Sequence, residues 1–413
     1  MYALLSPLLF KCAHLIERIR GASSEELHSR LGYVPSAGAP VIWFHGASAG
    51  EMAAAVALSN LLRERGHHFE PVFTATNRAG LDYIRRVTPE ARVASLVPWD
   101  VSDCLVRALD RWQPRALAIV ETELWPRMVF EAQERGIPVF SVSARIYSGD
   151  LPRYRAIRPF IGPTLSRFTR ILAQDNVERD RFIALGAPAD RCVSAGNLKY
   201  MGSSRVFDDP EALRRDIGIG PHDRVVVCGS IHGDEVNNVL ESIAAVIPED
   251  VRLIVAPRHL AAVGIIEQWA SRRAWKYVRR SAREIEKGWR VMIVDTMGEL
   301  SRFYALASCA IVGGGFERHG GHNPFEPVRA GVPALFGANF HHFDAEARAL
   351  VSATPEAQSA DLSALAATLR RWLDDDTQRR SAHERQLAVL PDPASIAACY
   401  SHTLEPFLTA AGV

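Results

Sequence analysis

The 413-residue chain has few cysteines, no excess of either charge and no long apolar run. Its six cysteines form no C-x-x-C pair and no Cys/His zinc spacing, which argues against a disulfide framework or structural zinc and suits a reducing, cytosolic compartment. Because 48 Lys and Arg balance 47 Asp and Glu, the net charge of +1 gives no reason to expect a nucleic-acid partner. Any anion site must therefore be local.

The N-terminal segment is apolar but interrupted. Pro7, Lys11, His14 and Glu17 break it well short of the ~20 apolar residues of a spanning helix, and no signal-peptide cleavage site follows. The segment is expected to form an amphipathic helix, either docked on its own domain or lying on an anionic membrane surface. The apolar residues at helical spacing are Leu4, Leu5, Leu8, Cys12, Leu15, Ile16 and Ile19.

A strand–helix rhythm begins at residue 40 and restarts after a polar, turn-rich stretch near residue 200. Alternating strands and helices predict parallel sheets covered on both faces. We therefore predict two doubly wound (Rossmann-like) α/β domains, residues 1–200 and 201–413, with the C-terminal helices in the second. Two such domains facing across a cleft form the GT-B architecture, although the fold alone does not fix the function.

The strand-to-helix junction "WFHGASAGEM", residues 43–52, places Glu51 at a helix start. The run from Ser48 to Glu51 fits the S-x-x-E capping box, so helix capping is the simplest interpretation. At the carboxyl edge of a parallel sheet, the same carboxylate is also placed to meet a substrate. In "VETELWP", Glu121 and Glu123 end another apolar strand, and at least one of these two carboxylates is expected to face the cleft.

In the second half, "VGGGFERHGGHNPFEP" holds five glycines that permit a close approach to a ligand, with Asn323 as a cap and Pro324 at the first helical position. His319 and His322 have no third ligand at a recognisable spacing, so metal binding is the minority interpretation. The loop instead favours a nucleotide phosphate or a sugar.

Two further junctions in this half offer anion-binding groups. "CGSIHGDE" is expected to open a helix with free N–H groups from Ser230 to Gly233 that hold a phosphate. Arg258 of "APRH" can grip a phosphate or carboxylate, and "DTMGEL" is expected to start a helix at Met297 to Glu299.

Seven motifs, in order along the chain, resemble the 3-deoxy-D-manno-octulosonic acid (Kdo) transferases: "WFHGASAGE", "VETELWP", "GNLK", "GSIHGDE", "PRH", "DTMGEL" and "GGGFERHGGHNPFEP". The resemblance is that of a divergent member. It implies an inverting GT-B glycosyltransferase of lipopolysaccharide biosynthesis that needs no metal or cofactor. Its donor would be CMP-Kdo, its acceptor a lipid A precursor, and its location the cytoplasmic face of the inner membrane as a peripheral protein.

The resemblance also implies roles for individual residues. Glu51 matches the general base that takes the proton of the acceptor hydroxyl, and Glu121 matches a second functional carboxylate. Acceptor or carboxylate binding is implied for Ser48, Gly50, Arg78 and Lys199. Donor binding is implied for Ser230, Ile231, His232, Gly233, Arg258, Met297, Gly298, Glu299, Gly314, Gly315, Gly320, Gly321, His322, Asn323 and Glu326, the last accepting hydrogen bonds from the ribose.

Three alternatives remain open at this level. The first keeps the donor type but changes the glycan acceptor or the CMP-linked ulosonic acid. The second is a nucleotide-sugar epimerase of the same fold, which would bind a uridine nucleotide. The third is a sugar-nucleotide-binding protein without catalysis, which the presence of both Glu51 and Glu121 disfavours.

Overall fold

The computed structural model of the protein describes residues 2–19, 21–201 and 209–413. Its contacts divide the chain into two units, residues 1–204 together with 391–413, and residues 205–390. Each unit contains one parallel sheet with helices packed on it.

The strands of the first unit are the apolar runs that the sequence pattern predicted. They are β1 (Val41–Gly46), β2 (Glu70–Ala75), β3 (Val93–Leu96), β4 (Ala116–Val120), β5 (Val139–Ala144), β6 (Arg170–Ala173) and β7 (Cys192–Ser194). They form a seven-stranded sheet in the order β3-β2-β1-β4-β5-β6-β7. Every residue of β1 and β4 is buried, as expected where helices cover both faces of a parallel sheet.

Helices follow or precede these strands in the pattern of a doubly wound fold. Several begin at side-chain caps, such as Asn77 before α4 and Asp175 before α9. The helices are α1 (Tyr2–Ile19), α2 (Ser24–Arg30), α3 (Ala49–Glu64), α4 (Arg78–Val87), α5 (Ser102–Trp112), α6 (Pro126–Glu134), α7 (Leu151–Ala156), α8 (Arg158–Leu165) and α9 (Asn176–Leu185).

The N-terminal helix predicted from the sequence is confirmed as α1. Glu17 pairs with the buried Arg30 at 2.7 Å, and the Phe10 ring stacks on Trp99 at 5.2 Å, so one side of the helix is docked. Its other side exposes Leu15, Ile16 and Ile19, whereas the side chains of Leu4, Leu5 and Leu8 lie outside the described structure. No described helix is both long enough and apolar enough to cross a membrane.

The second unit repeats the architecture with a six-stranded sheet. Its strands are β8 (Val225–Ile231), β9 (Arg252–Pro257), β10 (Tyr277–Arg279), β11 (Val291–Ile293), β12 (Cys309–Val312) and β13 (Ala334–Phe336), in the order β10-β11-β9-β8-β12-β13. The edge strand β10 was not predicted, because its three residues lie among charged residues and are too few to show a pattern. The helices are α10 (Pro210–Asp216), α11 (Val236–Ala244), α12 (Val263–Arg272), α13 (Leu300–Tyr304), α14 (Phe325–Arg329), α15 (Asp344–Ala353), α16 (Leu362–Asp374) and α17 (Asp376–Ala388).

The last helix, α18 (Pro393–Ala410), belongs to the first unit. The Tyr400 hydroxyl accepts the N–H of Ser143 at 2.8 Å and donates to the carbonyl of Gly196 at 3.1 Å. Phe407 packs edge to face on Phe140 of β5 at 5.8 Å. The prediction that all C-terminal helices belong to the second domain is therefore wrong for α18, whose apolar face covers the first sheet.

The strand order reverses between β1 and β4 in the first unit and between β8 and β12 in the second. Ligands of open parallel sheets bind outside the carboxyl ends of the strands at such a reversal. The carboxyl ends of these four strands, with the segments that follow them, hold Glu51, Glu121, the run from Ser230 to Gly233, and the glycine-rich loop.

Candidate active site

Glu51 lies in the first turn of α3, immediately after β1. Its Oε1 accepts the Ser48 hydroxyl at 2.9 Å, and its Oε2 accepts the N–H of Ala47 at 2.7 Å rather than that of Ser48 as in a standard capping box. Burial raises the pKa of Glu51, the Ala47 bond opposes this, and the charges of Glu121 and Glu123 raise it further. Glu51 therefore both caps α3 and has an increased tendency to take a proton, as a general base requires.

Glu121 and Lys199 form an ion pair beside this turn. Glu121 follows β4 directly with a φ of 55°, a left-handed conformation that costs a non-glycine residue ~1–3 kcal/mol and is concentrated at functional sites. Lys199 Nζ lies 2.5 Å from Oε1 of Glu121, which is only 5% exposed. A Cβ on Gly50 would lie 3.5 Å from the same Nζ, so the ammonium group lies against the start of α3.

Glu123, two residues later, is held by neutral donors and a histidine. Its Oε2 accepts from Trp125 Nε1 at 2.7 Å and Thr76 Oγ1 at 3.0 Å, and lies 3.4 Å from Nε2 of the buried His45. Burial alone would raise the pKa of Glu123, but His45, Trp125 and Thr76 outweigh burial and hold that pKa below its usual value. Glu123 therefore adds fixed negative charge near Glu51.

Arg78 is the first residue of α4 and is already paired. Its Nε lies 2.7 Å from Glu26 Oε1 and its Nη2 lies 2.9 Å from Glu26 Oε2. The Arg78 bond lowers the pKa of Glu26 to about 2, against partial burial. The role of Arg78 in binding an acceptor phosphate stays a prediction, and a phosphate would have to compete with Glu26.

In the second unit, one buried carboxylate joins the loops that leave β8 and β12. Glu235 is 1% exposed; its Oε2 accepts the N–H groups of His232 at 3.0 Å and Gly314 at 2.8 Å. Its Oε1 accepts those of Phe316 at 3.0 Å and Glu317 at 3.2 Å. Bonds to an ionised acceptor are about twice as strong as neutral ones, so these four amides fix the conformation of both loops.

The first of these loops differs from its prediction. Helix α11 begins only at Val236, so the run from Ser230 to Gly233 precedes it, and the His232 amide is already bonded. The predicted set of free N–H groups at a helix start is therefore wrong in this detail. Ser230 has a φ of 56° and interrupts the register between β8 and β9, and the buried Ile231 after it pairs again with Pro257.

The glycine-rich loop is packed too closely for side chains. A Cβ on Gly314 would lie 2.8 Å from the His322 ring, and one on Gly315 would lie 2.1 Å from Phe340. Both distances are below what real Cβ atoms show, so the glycines are required by contact as well as by conformation. The predicted glycines that would clash are Gly314, Gly315, Gly320 and Gly321.

Histidines cluster between the two loops. His232 Nε2 lies 2.9 Å from His322 Nε2, and the His232 ring stacks on His319 at 3.8 Å. Burial, followed by the charges of His232 and Arg258, lowers the pKa of His322 to about 4, and burial lowers that of His232. His319 is bound to Asp234 at 2.8 Å. At neutral pH His232 and His322 are therefore uncharged hydrogen-bonding groups.

Two further segments predicted to bind the donor contain Arg258 and the run from Met297 to Glu299. The Arg258 side chain is exposed, and its positive charge contributes to the lowered pKa of His322. Helix α13 begins at Leu300 rather than at Met297 to Glu299, so the 74%-exposed Met297 and Gly298 lie in a loop. Glu299 precedes the helix without a side-chain capping bond, and it accepts a hydrogen bond from Arg280 at 3.3 Å. Burial opposes the fall of the pKa of Glu299, but its bonds to Thr296 and Arg280 prevail and lower that pKa.

Glu326 lies in α14 with Asn323 just before it. Helix α14 begins at Phe325, not at Pro324 as predicted, and the side-chain oxygen of Asn323 accepts the Phe325 N–H at 3.1 Å. The Glu326 side chain stays accessible to solvent although protein surrounds it on most sides. This partial desolvation raises the pKa of Glu326, and a hydrogen bond with Asn323 opposes the rise. Its carboxylate is available to a ligand.

Sequence inspection missed the roles of Glu235 and His45 and did not include Glu123 among the site residues. No local signal marks Glu235, because three of the amides it binds belong to a loop about eighty residues away. His45 ends an apolar strand, which is a weak hint of function. In the described residues, no group of three or more His, Cys, Asp or Glu is arranged to hold a metal ion.

Residues 25–201 match the family model described as 3-deoxy-D-manno-octulosonic-acid transferase (kdotransferase). The Haemophilus influenzae 3-deoxy-D-manno-octulosonic acid transferase is 28% identical over 336 residues, which are 79% of this chain and 78% of that protein. The Chlamydia muridarum transferase is 25% identical over 370 residues, or 89% and 85%. The chain is a relative of the Kdo transferases. The resemblance drawn from the motifs is thus confirmed.

Solved structures agree on the fold. A UDP-GlcNAc 2-epimerase from Neisseria meningitidis is similar with a TM-score of 0.60 and 10% identity, covering 89% of this chain and 100% of that one. The Anabaena protein HepE, solved with UDP, gives a TM-score of 0.60 and 13% identity over 89% and 99%. At these identities the likeness concerns the fold alone, and it confirms the GT-B class for this Kdo transferase relative.

Proposed function

We propose that the chain transfers Kdo from CMP-Kdo to a lipid A precursor, with inversion and without a metal ion. The observation that carries the proposal is the Glu51 carboxylate, which lies at the sheet's reversal point, has a raised pKa and adjoins the Lys199–Glu121 pair. Likeness to the Kdo transferases supports Kdo as the transferred sugar. CMP-Kdo as the donor and a lipid A precursor as the acceptor are what the motif resemblance implies.

In the proposed step, Glu51 accepts the proton of the acceptor hydroxyl while that oxygen forms a bond to the anomeric carbon of Kdo. The bond from that carbon to the phosphate oxygen breaks, and its electron pair leaves with CMP. Lys199, beside Glu51, neutralises the carboxylate of Kdo or the phosphate. Attack and departure on opposite faces of the sugar give inversion.

The second unit is proposed to hold CMP. Backbone amides of the glycine-rich loop other than the three bound by Glu235, together with Arg258, would stabilise the negative charge that develops on the departing phosphate. Glu326 would accept hydrogen bonds from the ribose hydroxyls. The neutral His232 and His322 would donate or accept hydrogen bonds there without adding charge.

The docked helix α1 is proposed to attach the protein peripherally to an anionic membrane, at the cytoplasmic face of the inner membrane. Leu15, Ile16 and Ile19 are 56%, 48% and 76% exposed and follow the spacing of one helix face, with Arg18 beside them. An apolar face bordered by a cation suits the interface of an anionic bilayer.

The experiment that tests the function is a mass-spectrometric assay of the protein with CMP-Kdo, generated in place, and tetraacylated lipid A precursor. The isosteric variant Glu51→Gln is expected to lower kcat about a thousandfold, because general bases contribute roughly 10²–10⁴-fold. CMP binding, measured by calorimetry, is expected to stay unchanged. The number of Kdo residues added is read from the product mass.

Glu64→Gln is the matched control, since Glu64 is an exposed glutamate at the other end of the same helix. Full activity of Glu51→Gln would remove the base assignment. Binding of UDP-GlcNAc in place of CMP would overturn the donor, and transfer to a soluble glycan alone would change the acceptor.

A further inference from the structure

A pocket of the first unit lies outside the group of residues proposed for catalysis. It has a volume of about 860 Å³ and opens between α6 and the α7–α8 pair. Pockets of this size with mostly apolar walls are typical of small-molecule sites. The walls of this α6–α8 pocket include Leu124, Trp125, Phe130, Tyr154, Phe160 and Ile161.

The walls are held in place although the pocket is open. Trp125 is fixed by its hydrogen bond to Glu123, and the Arg167 guanidinium stacks on Phe130 at 4.1 Å. At its mouth, Ile157 and Phe160 are 39% and 59% exposed. Large apolar side chains left in water beside a rigid apolar pocket mark a binding surface more often than a packing defect.

The inner end of the pocket reaches the carboxylate cluster. Glu123 lines the pocket and also lies 3.4 Å from His45 at the end of β1. The outer end is cationic: Arg153 lines it, and Arg155 and Arg158 are exposed on the same short helices. None of these three arginines has an ion-pair partner among the described residues, and Asp150 is the one acidic group in this outer part of the lining. The surface thus combines an apolar pocket with a positively charged rim.

We propose that the α6–α8 pocket binds a hydrocarbon chain of the acceptor, with Arg153, Arg155 and Arg158 facing the anionic groups of the same lipid or its bilayer. The proposal rests on the proposed function, because it takes the acceptor to be an acylated anionic glycolipid. Each methylene group that leaves water contributes roughly fourfold in affinity, so a chain of several methylenes dominates acceptor recognition.

The test compares tetraacylated lipid A precursor with its fully deacylated disaccharide bisphosphate. Ile157→Glu/Phe160→Glu places two carboxylates at the pocket mouth, at positions exposed enough for the fold to tolerate them. We expect the double variant to raise the KM for the acylated acceptor about 50-fold, while kcat and both parameters for the deacylated acceptor stay within twofold of wild type. Val177→Glu, an exposed apolar position outside the pocket, is the control.

An unchanged KM for the acylated acceptor would overturn the proposal. The proposal would also be overturned if the double variant lost binding to anionic vesicles but kept its preference for the acylated acceptor. In that case the surface would contact the bilayer and not a hydrocarbon chain of the acceptor. Absence of transfer to either acceptor would contradict the proposed function and not the pocket.

The pocket has its own readout in that case. A terminally brominated dodecyl phosphate, used below its micelle concentration, is expected to quench tryptophan fluorescence saturably in the wild type, with most of the quenching lost in Trp125→Phe. Equal quenching in the two proteins would place the chain elsewhere and overturn the proposal.

Discussion

The carboxylates at the two reversal points are compensated in different ways. In the first unit, Glu121 is paired with Lys199, and Glu123 is bound by Trp125 and Thr76, all side chains. In the second unit, Glu235 is bound by four backbone amides. Side-chain partners allow the charge near Glu51 to be adjusted by substitution, whereas backbone partners make the loop conformation depend on a single carboxylate.

Among the changes that test this contrast between the two units, the largest expected effect follows from removing the carboxylate that holds the backbone amides. Glu235→Gln retains one accepting oxygen but turns an amide NH₂ toward two N–H donors. Losing charge-assisted bonds to both loops is expected to raise the KM for CMP-Kdo by about 100-fold, or ~3 kcal/mol, with a much smaller change in kcat. Steady-state kinetics and calorimetry with CMP measure both quantities.

Asp234→Asn, at the adjacent exposed carboxylate that binds His319, is the control and is expected to change the donor KM less than threefold. A lower melting temperature for Glu235→Gln with an unchanged donor KM would show that Glu235 supports the fold alone.

The next prediction concerns the pH dependence of activity, which tests how the side chains around Glu51 set its pKa. Glu51 must be ionised to accept a proton, and its raised pKa means that activity is lost as the pH falls through that value. In Glu121→Gln the negative charge that raises this pKa is absent, and Lys199 is left unpaired. The acid limb of kcat/KM is therefore expected to move down by roughly 0.5–1 pH unit, whatever the loss in rate.

The pH profile of Glu64→Gln, far along α3, is expected to match that of the wild type. An upward or absent shift in Glu121→Gln would mean that the limb belongs to a group other than Glu51.

A smaller effect is expected at Arg78, whose partner Glu26 is also an acidic side chain. Glu26→Gln keeps the hydrogen bond to the Ser23 amide at the start of α2, since glutamine also serves in a capping box, but releases the guanidinium. We expect Arg78→Ala to raise the KM for a phosphorylated acceptor about fivefold and Glu26→Gln to lower it about twofold. A dephosphorylated acceptor, on which neither change should act, is the control. Equal effects on both acceptors would remove Arg78 from acceptor binding.

Much of the fold was predictable because its signals are local. Apart from the edge strand β10, the strands of both sheets lie in apolar runs. Ser48 with Glu51 forms a helix-start motif within four residues. Alternation with helices predicts parallel strands, so the position of Glu51 and Glu121 at the carboxyl edge of a sheet was within reach of sequence reasoning, whereas the order of the strands was not.

The remainder depends on contacts distant in sequence. The apolar face of α18 predicts that the helix is buried, but it does not predict which of the two sheets the helix covers. The helix is attached to the first unit by a hydrogen bond between Tyr400 and Ser143, which are 257 residues apart in sequence. Glu235 resembles an ordinary charged residue near a helix start until the glycine-rich loop is folded onto it. The sequence does not show that Arg78 is paired, because its partner Glu26 lies 52 residues before it.

The smallest expected effect concerns the free energy of unfolding and the histidines at the reversal point of the second sheet, whereas the reversal point of the first sheet holds carboxylates. His322 has a folded pKa of about 4 against 6.5 when unfolded, so between these values the unfolded chain binds more protons. Stability from this group is therefore present at neutral pH and is lost as the pH falls from 6.5 toward 4. Because the ring is partly accessible to solvent, we expect the loss at pH 5 to be only ~1 kcal/mol.

Urea unfolding of the wild type and His322→Gln at pH 7 and pH 5 measures this difference, with His222→Gln, at an exposed histidine of the same unit, as the control. His322→Gln is expected to lose less stability than the wild type between the two pH values, whereas His222→Gln follows the wild type. An equal loss in all three proteins would mean that His322 is protonated in the folded state. In that case the second unit, like the first, would balance charged side chains, and the contrast between the two sites would rest on Glu235 alone.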